Sequence, residues 1–255
     1  MRRPRKRSHP QQEAYGGLPR QVGQWWLPPA PAGPVAAVVL VHGGFWRARY
    51  DLTLQDPVAA DLAGRGLLVW NVDYRASDAP WPATLDDAAA AYDALGHGRY
   101  ASLVDPARIA VVGHSAGGHL ALWLASRRPG RARPAGVPAP RLVVAQAPVA
   151  ALVEGAVAGL GGGAVDAFVG GSPHALPERY DVADPALLLP TGVRTVLVHG
   201  EDDDVVPISQ CETYVQRARA AGDDSTLVRV PGGHFPHLEP GSPAVQALVA
   251  ELDHL

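Results

Sequence analysis

The chain has 255 residues, 47% of them hydrophobic, and a formal net charge of −3. That length suits a single α/β domain with one large core, and the mild acidity argues against a broad nucleic-acid-binding face. One cysteine, Cys211, excludes an intrachain disulfide and fits a reducing, cytoplasmic setting. In chain order, Arg2, Arg3, Arg5, Lys6 and Arg7 form a basic run with no apolar segment after it, so it is no complete secretory signal. It reads as a disordered, solvated tail over residues 1–20, with a single domain over 21–255. Apolar, Val-rich runs predict strands near 21–27, 35–41, 67–72, 108–113, 141–147, 193–199 and 225–230. Helical patterns fall between them at 54–64, 83–95, 116–127, 208–221 and 243–253. The alternation predicts an α/β fold with a mostly parallel central sheet covered by helices on both faces. The apolar stretches are too short or too broken to span a bilayer.

The strand Ile109–Val112 runs into Gly113-His114-Ser115-Ala116-Gly117, and a helical run follows. A serine flanked by glycines at this junction has the form of a nucleophile elbow. The turn is too tight for large neighbours, and it pushes the serine hydroxyl out of the sheet. The N-terminus of the following helix favours negative charge.

Downstream, the predicted strand 193–199 ends in Gly200-Glu201-Asp202-Asp203-Asp204-Val205-Val206-Pro207. An acid on this loop can reach back toward the elbow, but three adjacent aspartates leave its identity open. After the last strand comes Pro231-Gly232-Gly233-His234-Phe235. His234 is placed to take the proton of Ser115 and return it to a leaving group. The aspartate would fix its tautomer. His237 is the rival, further from the glycine turn. Near the start, strand 35–41 ends in His42-Gly43-Gly44-Phe45-Trp46. Backbone N–H groups at Gly44 and Phe45, with that of Ala116, supply an oxyanion hole, each donor worth roughly 3 kcal/mol in other enzymes.

These parts together resemble the α/β-hydrolases of the esterase/lipase type, from about Gln21 to the C-terminus. His42–Trp46 with Gly113–Ala121 is similar to the kynurenine formamidase (arylformamidase) branch and its small esterase neighbours. Asp73-Tyr74-Arg75 followed by Pro82–Asp87 also resembles the hormone-sensitive-lipase branch. That branch usually carries a third glycine and an acidic residue where this chain has Phe45 and His114. The resemblance implies a pattern G-x-x-D-x-x-V-P, which lies on Gly200, Asp203, Val206 and Pro207 and so selects Asp203 as the acid.

The stretch 148–190 repeats no sheet pattern and reads as a small cap or lid of short helices, its high Ala and Gly content fitting a packed connecting segment as the alternative. Phe45, Trp46 and Trp81 offer an aromatic wall, with His114 beside them, for an acyl or aryl group. Core packing is the plain alternative for each tryptophan. His42 is expected to brace the oxyanion loop, and Asp73 to pair with Arg75 behind it. Ten histidines invite a metal, yet the sequence has no HExxH and no Cys/His ligand cluster. No metal, cofactor, nucleic acid or membrane is expected as a partner, only a small substrate and water. The expected activity is hydrolysis of small carboxylic esters through an acyl-enzyme. An N-formyl aryl amide is the alternative that the formamidase resemblance implies. A non-catalytic scaffold of the same fold is the alternative of another class, one that usually lacks a triad member or an oxyanion glycine.

Overall fold

The computed structural model describes residues 10–127 and 137–255; the basic run at Arg2–Arg7 lies outside them. The described residues form one sheet from β1 (Gln11–Ala14), β2 (Val22–Trp26), β3 (Val35–Val41), β4 (Leu68–Val72), β5 (Val104–His114), β6 (Leu142–Gln146), β7 (Arg194–Gly200) and β8 (Ser225–Val230). The spatial order is β1-β2-β4-β3-β5-β6-β7-β8. β2 runs antiparallel to both β1 and β4, and every pair from β4 across to β8 is parallel. The helices are α1 (Asp56–Gly64), α2 (Ala83–Asp93), α3 (Ala116–Ala125), α4 (Leu152–Val157), α5 (Leu160–Val169), α6 (Pro177–Ala183), α7 (Ser209–Ala220) and α8 (Pro243–Leu252).

β3 explains the layering. Successive side chains on a strand point to opposite faces. Val38 and Leu40 pack with Val58, Leu62 and Leu248 from α1 and α8. Ala37, Val39 and Val41 pack with Leu85, Leu120 and Tyr214 from α2, α3 and α7. Both faces are therefore apolar, and the strand reads as an unbroken hydrophobic run.

A strand lies inside the stretch 1–20 that was expected as a tail. β1 adds an edge strand whose residues Gln11, Gln12, Glu13 and Ala14 face Trp25, Gln24, Gly23 and Val22. Its side chains alternate between half-buried and exposed and carry no apolar signal. The indole N–H of Trp25 donates to Glu13 Oε2 at 2.6 Å, which helps fix the edge.

Between β6 and β7 the segment 148–190 holds α4, α5 and α6. Gly161, Gly162 and Gly163 make the left-handed first turn of α5, with φ of 63°, 66° and 80°. Helix α3 grips the end of α6. The Nε2–H of His119 donates to Ala183 O at 2.9 Å, and the indole N–H of Trp123 donates to Val182 O at 2.8 Å. Just beyond, the buried Asp184 accepts from the amides of Val153 and Ala186, each at 2.9 Å, and ties α4 to the same point.

Candidate active site

Ser115 sits where β5 gives way to α3, with φ 57° and ψ −119°. A non-glycine residue rarely adopts such angles, and the surroundings hold it there. A side chain at Gly113 would stand 2.1 Å from Gly117 O, and one at Gly117 would stand 2.1 Å from Val41 O. The glycines of the motif therefore answer to crossing backbones. The Ser115 amide donates to Gln146 O on β6 at 2.8 Å, which pins the turn to the sheet. Ala116 is the first residue of α3, so its N–H has no acceptor within the helix.

The loop after β3 approaches from the side. Gly44 has φ 112°, and Phe45 and Trp46 follow with φ 51° and 52°. The Arg47 amide donates to Gly44 O at 3.0 Å and closes this turn. His42 lies behind it, its Nε2 3.0 Å from Asp73 Oδ1 and its ring stacked on Tyr74 at 4.3 Å. Asp73 also takes Arg20 at 2.6 Å. The expected pairing of Asp73 with Arg75 does not form. Arg75 instead meets the buried Asp87 at 2.7 Å, because α2 presents that carboxylate under the loop.

On the far side, His234 is 4% exposed and its Nδ1 lies 2.7 Å from Asp203 Oδ2. The other oxygen of Asp203 accepts from the amides of Val205 and Val206, each at 2.9 Å. Burial alone would raise the Asp203 carboxyl. The hydrogen bond from His234 and the amides of Val206 and Val205 outweigh that and hold it below the ordinary carboxylate range. Asp202 and Asp204 are exposed. Of the three aspartates, Asp203 is the one whose carboxylate meets His234. His237 is buried, and neither ring nitrogen has a hydrogen-bond partner.

His114 differs from expectation. It is only 3% exposed and does not form an open wall. Its Nε2–H donates to the carbonyl oxygen of His234 at 2.9 Å, and the two rings lie 4.6 Å apart. Residue 114 therefore joins the Ser115 turn to the His234 loop. Trp46 is also buried, at 1% exposure, and stacks on Phe168 of α5 at 4.5 Å. Trp81 is half-buried, with its ring 5.8 Å from Phe168. Phe45 is half-buried under Gly161, so close that a side chain there would meet its ring.

The sequence marked Phe168 only as an aromatic within the 148–190 segment, without its partners, and passed over His199 as a site residue. His199 did leave a signal: it is a polar residue closing an apolar strand, four positions before Asp203. Among the described residues, no three His, Cys, Asp or Glu side chains gather as metal ligands, and no helix is long and apolar enough to cross a membrane.

A model of the BD-FAE family matches residues 24–217. Carboxylesterase NlhH of Mycobacterium tuberculosis is 39% identical over 113 residues, which is 44% of this chain and 35% of that protein. Esterase LipI of the same organism is 40% identical over 106 residues, 40% of this chain and 33% of that protein. The matched stretch thus spans about a third of these curated relatives. A truncated carbohydrate esterase from gut microbiota superposes with a TM-score of 0.82 at 20% identity, covering 98% of each chain. Esterase Est2 of Thermogutta terrifontis gives 0.75 at 21% identity, covering 96% of this chain and 90% of that one. Likeness at such identity speaks for fold alone. The family match takes in the glycine loop after β3, the elbow and the Asp203 turn, and the chain belongs to the BD-FAE family, with the α/β-hydrolase fold of the serine esterases.

Proposed function

We propose that the protein is a serine hydrolase that cleaves small carboxylic esters through an acyl-enzyme. Ser115 Oγ attacks the ester carbonyl carbon and passes its proton to His234. The carbonyl electron pair moves onto oxygen, where the amides of Phe45 and Ala116, with that of Gly44, receive it. Collapse breaks the bond to the leaving alcohol, which takes the proton from His234. Water repeats the sequence and frees the carboxylic acid and Ser115. Asp203 holds the imidazole with Nδ1–H toward the carboxylate, so that Nε2 is the basic nitrogen.

The observation that carries this reading is the 2.7 Å contact of His234 Nδ1 with Asp203 Oδ2, on a loop bound to the residue beside Ser115. The esterase names of the relatives favour an ester over a formamide carbonyl as the substrate. The half-buried rings of Phe45 and Trp81, backed by the buried Phe168, suit a short acyl or aryl group. Phe235, 61% exposed with its ring 5.4 Å from that of His234, offers an apolar contact for a leaving alcohol.

The test is turnover of p-nitrophenyl acetate by the native chain and by Ser115→Ala, with a fluorophosphonate probe mapped by peptide mass spectrometry. Activity that persists without the Ser115 hydroxyl, or a label on another serine, overturns the assignment.

A further inference from the structure

The chemistry above makes no use of His199, yet this side chain is fully buried at the end of β7, against the acid turn. Its Nε2 lies 2.9 Å from Val206 O and 3.4 Å from Asp203 Oδ2. Its Nδ1 lies 3.1 Å from Cys211 Sγ on α7. Both neighbours of Nε2 are acceptors, so Nε2 carries the proton and donates to Val206 O while facing the carboxylate. Nδ1 then keeps its lone pair and accepts the Cys211 S–H. Burial pushes the imidazole down and the thiol up, which keeps both neutral. The ring thus has one tautomer and one orientation.

What it holds is the turn from 203 to 206. Val206 is gripped at both ends: its N–H donates to Asp203 Oδ1, and its C=O accepts from His199. The turn places Asp203 Oδ2 against His234 Nδ1. Movement at Val206 O is therefore passed to the carboxylate that orients the imidazole.

We propose that His199, backed by Cys211, is a positioning residue for Asp203 that fixes the acid turn through Val206. This rests on reading Asp203 and His234 as the acid and base of the ester hydrolysis above. The competing account is that His199 only fills space at the end of a strand. An aromatic ring of similar size would do that equally well.

The test compares His199→Gln, His199→Asn and His199→Phe. A glutamine amide reaches the place of the Nε2–H, an asparagine amide falls short, and phenylalanine has no donor. Two quantities are read: kcat and KM on p-nitrophenyl acetate, and the downfield proton NMR resonance of His234 Nδ1–H. Small misplacement of an orienting group is costly, so Asn and Phe should lose about ten-fold or more in kcat with KM unchanged, and Gln about three-fold at most. The resonance should shift or broaden with Asn and Phe and persist with Gln. Full kcat and an unchanged resonance in the Phe variant overturn the proposal, and so does a Gln variant as impaired as Asn. If melting curves show that Phe does not fold, the Gln and Asn pair decides by the same criteria. The resonance needs no turnover. An inactive native chain whose resonance still separates Gln from Asn overturns the ester reading and leaves the brace standing.

Discussion

His114 Nε2 lies 2.9 Å from the carbonyl oxygen of His234, so the residue beside the proposed nucleophile holds the loop of the proposed base. This bond crosses from the end of β5 to the segment after β8, two parts of the chain joined by no strand pairing. Burial pushes the His114 imidazole well below its ordinary range, so the ring stays neutral and its one N–H is committed to that carbonyl. A wall residue and a brace predict different kinetics. Substitution of a wall residue raises KM. Substitution of a brace lowers kcat with KM little changed. We expect His114→Leu to cut kcat about ten-fold on p-nitrophenyl acetate, since loss of the bond lets the imidazole drift. A raised KM with native kcat would return His114 to the pocket wall.

The acid turn allows a sharper comparison. Asp203 is the carboxylate that faces His234, while its neighbours on both sides are exposed. Asp203→Asn keeps the shape but presents an amide that supports the wrong tautomer, and in a related triad that change costs roughly 10,000-fold in kcat. Asp202→Asn and Asp204→Asn should each stay within about two-fold, as solvated charges do. Parallel kcat measurements on the three variants check this, and equal losses would leave the acid unassigned.

Much of this arrangement was legible in the sequence because short-range sterics write it there. The elbow needs glycine at 113 and 117 because backbone passes 2.1 Å from where their side chains would stand, and such a constraint leaves a spelled motif. The central strands were legible because both of their faces are covered. The edge strand Gln11–Ala14 was not: one face is solvated, and its pairing with β2 runs through backbone groups that any residue supplies. The partners of Asp73 were hidden for a related reason. Arg20 reaches it across 53 positions, and no local pattern encodes such a contact. His114 sat inside the most readable motif of the chain, yet its bond to His234 spans 120 positions and depends on how two loops meet.

Buried neutral histidines make stability depend on pH. Burial pushes His237 down to about 3 and His119 down to about 4. An unfolded chain protonates a histidine near pH 6.5, whereas the folded chain does not until these lower values. Between those limits the unfolded state binds more protons, so stability falls as pH drops, by up to about 1.4 kcal/mol per pH unit for each such group. His237 has no hydrogen-bond partner on either ring nitrogen, so its replacement forfeits no bond. His237→Leu should match the native chain at pH 7 within about 1 kcal/mol and exceed it by roughly 1–2 kcal/mol at pH 5. Urea unfolding at both pH values measures this. An unchanged acid slope would mean that the native ring is already charged or reached by water.

Phe168 tests whether the segment between β6 and β7 shapes the proposed acyl site. Its ring stacks on Trp46 at 4.5 Å and approaches Trp81 and His119 at 5.8 and 5.2 Å. Trp46 follows Phe45 of the proposed oxyanion loop, and His119 lies one helical turn after Ser115. Phe168 therefore fills the space between the Ser115 turn, the loop after β3 and the Trp81 segment. Phe168→Ala should cost about 3–4 kcal/mol of stability, the usual range for emptying a buried aromatic site. The cavity it leaves adjoins the aromatic surface, so turnover of p-nitrophenyl hexanoate should rise relative to acetate. Melting curves and the hexanoate-to-acetate ratio of kcat/KM report the two effects separately. Lost stability with an unchanged ratio would assign Phe168 to packing alone and place the acyl group elsewhere, against Phe45 and the left-handed glycine turn above it.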